Sequence, residues 1–487
     1  MAKNSLRLNP LPVSFGTDGW RGVLGVDFTL ERLLNVAIAS AQELCYRAPA
    51  ELDSRKIIIG YDRRFLASEM AEAVAAAVRG CDLEPLLADS PVPTPACSWA
   101  VVNNYALGAL VVTASHNPPE WLGLKIKGPL GGSVEADFTK AVETRLSAGG
   151  VTIPREGLTD RFDCRNEHIN GLRKQFDISA IIRGLKEIGL KLIIDPMHGS
   201  AAGCIGDLFG EEGKDGLITE IHSEQDPLFG GNPPEPLAKY TNQLIEMVKA
   251  SGKSGKPALG LVFDGDGDRI AAIAERGRYC STQLLMPLLI DHLARVNKSP
   301  GCVIKTVSGC DLMRLVAESH GREVLELPVG FKYIAKEMLV RDVLIGGEES
   351  GGIGFGSHIP ERDALFTSLV LLEAIAKAKK PLGEKLNELE QRFGQIYFDR
   401  IDVFLENMEV RQKFENCFKS SPPQAVLDKP IREVISIDGI KLRLGDKHWL
   451  MFRFSGTEPL LRIYCEAPSK EEIRKTLDWA QEFLAMI

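Results

Sequence analysis

Between residues 56 and 112 the sequence contains KIIIG at 56–60, ASEMAEAVAAAV at 67–78 and ALVV at 109–112. The first and third segments are short apolar runs bounded by turn residues, which is typical of buried strands. The middle segment spaces its apolar side chains at helical intervals. The order of strand, helix and strand predicts an α/β fold for this part of the chain.

The same alternation recurs further along the chain. Strand-like runs at residues 190–194 and 259–263 each lead into a loop, and a third set follows with strands at 302–306, 324–327 and 343–345 and a helix at 311–320. The C-terminal part differs, because strand-like runs at 441–444, 449–454 and 461–466 precede a charged helix that begins at Lys470. This pattern predicts a smaller α+β domain at the end.

The chain length sets the number of domains. At roughly 150 residues per domain, the 487 residues predict three or four domains. Turn-rich stretches predict boundaries near residues 147–160, 275–279 and 379–394. A functional site is then expected between domains.

Charge and composition exclude some classes of function. The net charge of -8 argues against general affinity for nucleic acid or anionic membranes. The ten cysteines show no C-x-x-C pair, so free thiols in a reducing compartment are expected. No apolar run approaches the length of a membrane helix, and residues 1–12 lack the apolar core of a signal peptide. We expect a cytoplasmic monomer or homodimer with no nucleic-acid or membrane partner.

The sequence TASHNP at residues 113–118 follows an apolar run and contains Ser115. Ser115 is therefore expected at the C-terminal end of a strand, where open α/β sheets bind ligands, with its hydroxyl exposed to a cleft. An isolated serine would more often cap a turn. Hydrolase chemistry is a further alternative, but the surroundings lack the G-x-S-x-G pattern.

The sequence DGDGDR at residues 264–269 places three aspartates on alternate positions after a strand-like run. Carboxylates at this spacing, separated by glycines, can converge on one divalent cation. A calcium EF-hand loop is disfavoured, because Arg269 occupies the place of its required glycine and the flanks are strand-like. The motif favours magnesium over a solvated acidic turn.

Two glycine-containing loops complete the candidate site. GGEESGG at residues 346–352 follows a strand-like run and offers carboxylates and a hydroxyl to sugar hydroxyl groups. RFSGTEP at residues 453–459 combines a guanidinium with two hydroxyls, which suits a phosphate. Each loop taken alone could be an ordinary turn.

These four motifs, in this order, resemble the α-D-phosphohexomutase superfamily of phosphoglucomutases and phosphomannomutases. FGTDGWRG at residues 15–22 and GLK at 123–125 extend the resemblance over nearly the whole chain. It implies three related α/β/α domains with mixed sheets and a smaller C-terminal α+β domain around a central cleft. The implied domains are residues 1–154 with the phosphoserine loop, 155–278 with the metal loop, 279–388 with the sugar-recognition loop and 389–487 with the phosphate-binding loop.

The resemblance also implies a role for each matching residue. Ser115 would carry the transferred phosphate as a phosphoserine, Arg21 and Lys125 would be the proton-transfer residues, and His116 would assist beside the serine. The ligands of a magnesium ion would be Ser115, Asp264, Asp266 and Asp268. The substrate-binding residues would be Arg269, Lys305, Gly330, Lys332, Glu348, Ser350, Arg453, Ser455, Gly456 and Thr457.

The implied reaction interconverts hexose 1-phosphate and hexose 6-phosphate through a hexose 1,6-bisphosphate, which would also serve as the activator. A hexose-1,6-bisphosphate synthase or phosphatase would use the same residues, and a non-catalytic sugar-phosphate sensor is a further alternative. Many phosphomannomutases and phosphoglucosamine mutases carry histidine where this chain has Gly352, and VGFK at residues 329–332 resembles the phosphoglucomutase type. Both features favour glucose phosphates, with mannose phosphates possible.

Overall fold

The computed structural model describes residues 11–148, 154–213, 216–405, 409–420, 422–454 and 460–486. Along these residues, three helix-flanked mixed sheets are followed by an antiparallel sheet. This is the arrangement of three α/β/α domains and a C-terminal α+β domain that the sequence predicts. No helix within the described ranges has both the length and the apolar character needed to cross a membrane.

The first domain is a six-stranded sheet with four helices. Its strands are β1 (Trp20–Val23), β2 (Lys56–Tyr61), β3 (Glu84–Ala88), β4 (Gly108–Val112), β5 (Trp121–Lys127) and β6 (Asp160–Phe162). Its helices are α1 (Leu30–Tyr46), α2 (Ala67–Gly80), α3 (Thr94–Asn103) and α4 (Ala136–Ala148). The strand order is β1-β5-β4-β2-β3-β6, with β2, β3, β4 and β6 parallel and with β5 and β1 antiparallel to their neighbours.

Both faces of this first sheet are covered, as the apolar character of its strands requires. Every side chain of β4 is buried. Helices α1, α2 and α4 pack on one face through residues such as Leu33, Val74 and Val142. Helix α3 covers the other face through Ala96 and Val101. The predicted α/β/α layering is confirmed here.

The second domain repeats this plan with a five-stranded sheet. Its helices are α5 (Cys164–Gln175), α6 (Ile178–Glu187), α7 (Cys204–Phe209) and α8 (Asn242–Lys253). Its strands are β7 (Lys191–Asp195), β8 (Ile218–Glu220), β9 (Ala258–Phe263), β10 (Ile270–Ala274) and β11 (Arg278–Cys280). The order is β11-β10-β9-β7-β8, and β9 and β10 pair antiparallel, so the acidic loop between them closes a hairpin.

The third domain has a four-stranded sheet. Its strands are β12 (Cys302–Thr306), β13 (Val324–Leu327), β14 (Val343–Gly347) and β15 (Ile353–Phe355), in the order β13-β12-β14-β15. Its helices are α9 (Thr282–Asp291), α10 (Asp311–Ser319), α11 (Phe331–Val340), α12 (Ala364–Ala378) and α13 (Leu382–Phe393). One continuous hydrophobic core joins the second and third domains.

The fourth domain is an antiparallel sheet covered by helices on one face. Its strands are β16 (Tyr397–Phe404), β19 (Glu433–Ile435), β20 (Ile440–Gly445), β21 (His448–Phe454) and β22 (Leu460–Ala467), and β17 (Ala425–Val426) and β18 (Lys429–Pro430) form a separate two-stranded sheet. Helices α14 (Glu409–Ser420) and α15 (Lys470–Ala485) share its core. The sheet order is β16-β22-β21-β20-β19, and Trp449 and Tyr464 pack against Val307 of the third domain.

The turn-rich stretches do not all behave as predicted. Residues 379–394 are mainly helical, since Leu382, Leu386 and Leu389 bury one face of α13 in the shared core. Strand β6 still pairs with β3 of the first sheet, and β11 still pairs with β10 of the second. Both sheets therefore extend beyond the predicted turns, whereas the domain bounds drawn from the sequence stay predictions.

Candidate active site

Ser115 lies in the loop directly after β4, as the sequence predicts. Its backbone has φ 53°, which is unusual for a residue other than glycine and persists where surrounding contacts hold it. The Ser115 N–H donates to Thr113 Oγ1 at 2.8 Å. The predicted exposure of its hydroxyl is wrong: the side chain is fully buried, because Oγ donates to Asp264 Oδ2 at 3.0 Å and lies 3.2 Å from His116 Nδ1.

The side chain of Arg64 supports the Ser115 loop by binding the backbone of that loop. The Arg64 guanidinium donates to the carbonyl oxygens of Ser115 at 2.6 Å, Asn117 at 2.7 Å and Pro118 at 2.8 Å. Asp62 pairs with Arg64 at 3.1 Å and accepts from Thr113 Oγ1 at 2.6 Å. These contacts fix the backbone that presents Ser115.

The three predicted metal ligands converge in the loop between β9 and β10. Asp264 Oδ1 accepts from the N–H groups of Asp268 at 3.0 Å and Arg269 at 3.1 Å, which tightens the loop. One ligand oxygen from each of Asp264, Asp266 and Asp268 lies within 4.8 Å of the others. All three side chains are fully buried.

The chemistry of these carboxylates fits a divalent cation. Asp266 Oδ1 and Asp268 Oδ1 are buried, and no donor in the described part of the chain reaches them. Burial raises the pKa of Asp264, and the negative charges of Asp268 and Asp266 raise it further. Buried carboxylate oxygens without donors are costly, and a hard cation would satisfy them. The fit of the acidic loop to a cation rests on Asp266 Oδ1 and Asp268 Oδ1.

Lys125 on β5 is the cation that faces the acidic loop. Its Nζ lies 2.8 Å from Asp18 Oδ2, and 2.7 Å from both Asp266 Oδ2 and Asp268 Oδ2. Burial lowers the pKa of Lys125, but these three carboxylates outweigh that effect and raise it. Lys125 therefore stays protonated and balances the charge of the loop.

Arg362 is a second buried cation at the same place. Its Nη2 donates to Asp18 Oδ2 at 2.5 Å and to Asp268 Oδ2 at 2.7 Å, and its Nη1 to Glu348 Oε2 at 3.3 Å. The guanidinium also lies over the ring of Phe331, 5.6 Å from its centroid. Arg362 thus connects the loop that contains Asp18, the acidic loop of residues 264–269 and the glycine-rich loop of residues 346–352.

Arg21 and His116 complete the set of predicted catalytic residues. Arg21 Nη1 donates to Asn117 Oδ1 at 2.6 Å, and burial lowers the pKa of its guanidinium. Burial, together with the positive charges of Arg269 and Arg21, also lowers the pKa of His116. His116 is therefore neutral at physiological pH and can accept a proton.

The sugar-recognition loop meets the acidic loop directly. Ile270 N donates to Gly351 O at 3.1 Å, and Arg269 forms a β-bridge with Gly352. Burial raises the pKa of Glu348, although Arg362 and Arg269 oppose that effect. Ser350, the other predicted reader of sugar hydroxyls, is half-buried in the same loop.

Lys305, a further predicted substrate-binding residue, lies on the third sheet. It is fully buried, 3.1 Å from Glu326 Oε2, and donates to Gly309 O at 3.0 Å. Glu326 in turn pairs with Lys441 of the fourth domain at 3.0 Å. The contacts of Lys305 therefore lie towards the fourth domain rather than among the acidic residues.

Gly330 and Lys332 lie where the third domain meets the first. Gly330 has φ 134°, and a Cβ there would come within 3.6 Å of Thr17. Lys332, at the start of α11, lines a small cleft with the loop of residues 15–19. Both residues thus approach the FGTDGWRG motif.

The fourth domain contributes Arg453 at the end of β21. Its Nε lies 2.8 Å from Asp438 Oδ2. Burial lowers the pKa of Arg453, but Asp438 and Tyr464 outweigh that effect and raise it. Ser455, Gly456 and Thr457 lie outside the described residues.

Some residues of the site carried no assigned role in the sequence. Asp18 stands within the FGTDGWRG motif, and Arg362 precedes an aspartate that caps an apolar helix, a pattern that could have revealed it. Arg64 follows β2, the strand parallel to the one that leads to Ser115. For Arg64, the position after a strand end is the available signal.

The fold and the site together define an enzyme of the α-D-phosphohexomutase superfamily, a class of isomerases. The sequence matches "Phosphoglucomutase/phosphomannomutase, alpha/beta/alpha domain I" over residues 12–150, domain II over 166–277 and domain III over 282–393. It matches the C-terminal domain of the same family over residues 405–480. The chain belongs to the phosphoglucomutase/phosphomannomutase family.

The names of the matched relatives agree on the superfamily but give different substrates. A phosphoglucosamine mutase of Levilactobacillus brevis is 30% identical, over 94% of this chain and 95% of its own. A phosphoglucomutase/phosphomannomutase of Thermococcus kodakarensis is 27% identical, over 95% and 96%. A solved Thermus thermophilus structure, whose name refers to phosphomannomutase, has a TM-score of 0.84 and 32% identity, and the match covers 98% of this chain and 100% of its own.

Proposed function

We propose that this enzyme interconverts hexose 1-phosphate and hexose 6-phosphate by way of phosphorylated Ser115. The observation that carries the proposal is the contact of 3.0 Å between Ser115 Oγ and Asp264 Oδ2, within a triad that includes buried oxygens to which no described residue donates. A nucleophile beside a divalent-cation site and buried cations is what phosphoryl transfer requires, because charge on the moving group must be neutralised.

Two transfers complete the reaction. In the first, the bond between Ser115 Oγ and phosphorus breaks while a bond from phosphorus to a sugar oxygen forms, which gives a hexose 1,6-bisphosphate. The sugar hydroxyl loses one proton and Ser115 Oγ gains one. After the bisphosphate reorients, its other phosphate returns to Ser115 and the proton moves the opposite way. Free hexose 1,6-bisphosphate would load Ser115 at the start and so act as the activator.

The charges of the site suggest how protons move. Lys125 is held protonated by three carboxylates, which suits charge balance more than proton uptake. His116 is neutral and its Nδ1 lies 3.2 Å from Ser115 Oγ, and burial lowers the pKa of the Arg21 guanidinium, which donates to Asn117 in the same loop. The sequence resemblance implies Arg21 and Lys125 as the proton-transfer residues; on the contacts of Ser115 we propose instead that His116 and Arg21 move the proton and that Lys125 balances the charge.

Magnesium is the cation that we propose for Asp264, Asp266, Asp268 and Ser115. Oxygen ligands and a phosphate that completes the coordination are what Mg²⁺ prefers. When bound, the ion would act as a Lewis acid on the phosphoryl group rather than generate a hydroxide. The chain's own part is to hold the three carboxylates within one small loop.

Glucose phosphates are the preferred substrates in this proposal. Gly352 replaces the histidine of many mannose- and glucosamine-specific relatives, and Phe331 with Lys332 resembles the phosphoglucomutase type. The name of the Levilactobacillus brevis relative favours glucosamine phosphate as the competing candidate. Arg453 would hold the phosphate that is not reacting, in either orientation of the sugar.

One experiment tests the reaction and the substrate together. The purified enzyme receives glucose, mannose or glucosamine 1-phosphate, each with its bisphosphate activator, and 6-phosphate formation is measured alongside the intact mass of the protein. We expect a phosphate on the peptide that contains Ser115 and fastest turnover of glucose 1-phosphate. Release of inorganic phosphate would instead indicate a phosphatase, and net accumulation of bisphosphate from another donor would indicate a synthase.

A further inference from the structure

Asp363 caps the start of helix α12 and is held by two histidines. Its Oδ1 accepts from the N–H groups of Leu365 at 2.9 Å and Phe366 at 3.0 Å. Its Oδ2 lies 2.8 Å from His168 Nε2 and 2.9 Å from His358 Nε2. Burial raises the pKa of Asp363, but the two histidines outweigh that effect and lower it. We refer to Asp363, His168 and His358 as the carboxylate joint.

The carboxylate joint connects three domains. His168 lies on α5 of the second domain, whereas His358 and Asp363 belong to the third. The ring of His358 stacks on Trp99 of α3 in the first domain, with centroids 5.5 Å apart and an interplanar angle of 20°. The side chains of His168, His358 and Asp363 are at most 1% exposed.

The residues on either side of Asp363 hold the acidic loop. Arg362 Nη2 donates to Asp268 Oδ2 at 2.7 Å, and Ala364 N donates to Gly267 O at 3.4 Å. Within the described ranges, no side chain of the carboxylate joint has a hydrogen bond to that loop. The joint therefore acts on the loop through the backbone of residues 362–364.

We propose that the carboxylate joint is a positioning device that sets the affinity of the Asp264–Asp268 loop for a divalent cation. This inference rests on the cation site of the proposed function. Loss of one imidazole donor leaves Asp363 Oδ2 short of a partner in a buried place, so the start of α12 would shift to regain one. Arg362 and Ala364 would move with it, and the carboxylates of the loop would lose their spacing.

The alternative is that the carboxylate joint itself binds a cation. The ligand atoms of its three side chains lie within 4.8 Å of one another. An imidazole that binds a metal through Nε2 carries its proton on Nδ1 and needs an acceptor there. His358 Nδ1 is buried and has no hydrogen-bond partner within the described residues. The geometry therefore favours two imidazole N–H groups that donate to Asp363.

The experiment measures Mn²⁺ binding to the full-length enzyme without sugar, from the paramagnetic resonance signal of free Mn²⁺. His168→Leu removes the donor, whereas His168→Gln can place an amide N–H near the position of Nε2. His292→Leu is the matched control, because His292 Nε2 contacts Glu373 Oε2 at 2.9 Å on the same helix α12, far from its start. Thermal unfolding of each variant is recorded in parallel.

We expect the Mn²⁺ dissociation constant to rise about tenfold in His168→Leu, because Arg362, which the joint positions, is the hydrogen-bond partner of Asp268 and loss of such an outer-shell contact weakens metal binding by about that factor. It should stay within about twofold in His168→Gln and His292→Leu. Unchanged affinity in His168→Leu, or equal weakening in His292→Leu, would overturn the inference. Asp266→Asn should abolish binding. Failure of the wild-type enzyme to bind Mn²⁺ would instead contradict the cation site itself.

Discussion

Arg453 on β21 and Arg462 on β22 lie directly opposite each other in the antiparallel register of the fourth sheet. Arg453 is paired with Asp438, whereas Arg462 Nε is buried and has no hydrogen-bond partner among the described residues. Like charges in directly opposite positions destabilise a sheet. The two arginines flank the loop of residues 455–459, so a bound phosphate would offset their repulsion.

We expect Arg453→Ala to weaken catalysis with both the 1-phosphate and the 6-phosphate, because one clamp serves both orientations of the sugar. A charge-assisted contact contributes about 1.5–3 kcal/mol, which corresponds to roughly a ten- to hundredfold fall in kcat/KM. Initial rates in both directions measure it. Because the equilibrium constant fixes the ratio of the two kcat/KM values, the shared clamp is tested by KM, and a rise in KM for only one of the two phosphates would contradict it.

Arg462→Gln provides the companion measurement. Removal of this charge should leave the melting temperature unchanged or slightly higher, while kcat/KM falls in both directions. Activity with normal kcat/KM would show that Arg462 does not contact the phosphate. A fall in both stability and activity would assign it a structural role.

Ser115→Ala should abolish mutase turnover while the protein stays folded. In the proposed function the lost hydroxyl carries the phosphate, and the loop keeps its support from Arg64, whose hydrogen bonds go to backbone carbonyls. Activity, intact mass and circular dichroism measure the outcome. Thr94→Ala, which removes a donor to Asp266 at the same site, is the control that should retain a phosphorylated Ser115. Near-normal turnover by Ser115→Ala would rule out the phosphoserine.

Removal of divalent cations should stop turnover reversibly. The acidic loop keeps two buried carboxylate oxygens without donors among the described residues, and these are the atoms that a cation would satisfy. We expect activity to vanish with chelator and to return with Mg²⁺, and we expect Asp266→Asn to remain inactive at any Mg²⁺ concentration. Continued turnover after chelation would disprove the assignment.

Local patterns explain why much of the fold was predictable. The predicted strand at residues 302–306 coincides with β12, and the predicted helix at 67–78 is two residues shorter than α2. Both have a clear apolar period and distinct ends. Residues 379–394 misled the prediction, because Pro381 and Gly394 suggest turns although they only bound α13. The helical spacing of Leu382, Leu386 and Leu389 makes this segment a helix, and the three side chains pack into the core.

The residues of the site could be predicted from the sequence only where they lie within one short motif. The carboxylates of residues 264–268 share a loop, so spacing alone indicates a cation site. Asp18 pairs with both Arg362 and Lys125, which come from distant parts of the sequence, and no spacing rule brings the three together. The burial of Ser115 escaped prediction for the same reason, since Asp264 comes from another domain.

Glu466 lies where the fourth domain meets the third. Its ionisation should make the stability of the protein depend on pH. Its Oε2 accepts from Asp311 N and Trp449 Nε1, both at 2.8 Å. Burial, and next the charge of Asp311, raise the pKa of Glu466 to about 7. A carboxyl whose folded pKa is raised contributes stability below about pH 4.5, and this contribution is lost as the pH rises to about 7.

We therefore expect Glu466→Gln to match the wild type near pH 4.5 and to exceed it near pH 8, by up to about 3 kcal/mol in the free energy of unfolding. The glutamine carbonyl can still accept a hydrogen bond. Urea titrations at the two pH values measure the difference. A difference that does not change with pH would show that Glu466 ionises normally.

The preference for the sugar depends on a small difference in geometry. Glucose and mannose phosphates differ only in the orientation of the C2 hydroxyl. A site that hydrogen-bonds one orientation leaves buried polar groups unpaired with the other epimer, at a cost of about 1–3 kcal/mol. Glu348 is almost fully buried and already engaged by Arg362, so its carboxylate has a fixed direction.

We expect kcat/KM to be higher for glucose 1-phosphate than for mannose 1-phosphate, and lowest for glucosamine 1-phosphate. An ammonium group at C2 adds a positive charge to a site that already holds Arg362 and Arg269, both buried and both acting on the pKa of Glu348. Gly352 provides no imidazole to accept a proton from that ammonium. Competition of the three substrates for one enzyme preparation, each with its own bisphosphate, measures the order. A clear preference for glucosamine or mannose phosphate would overturn it.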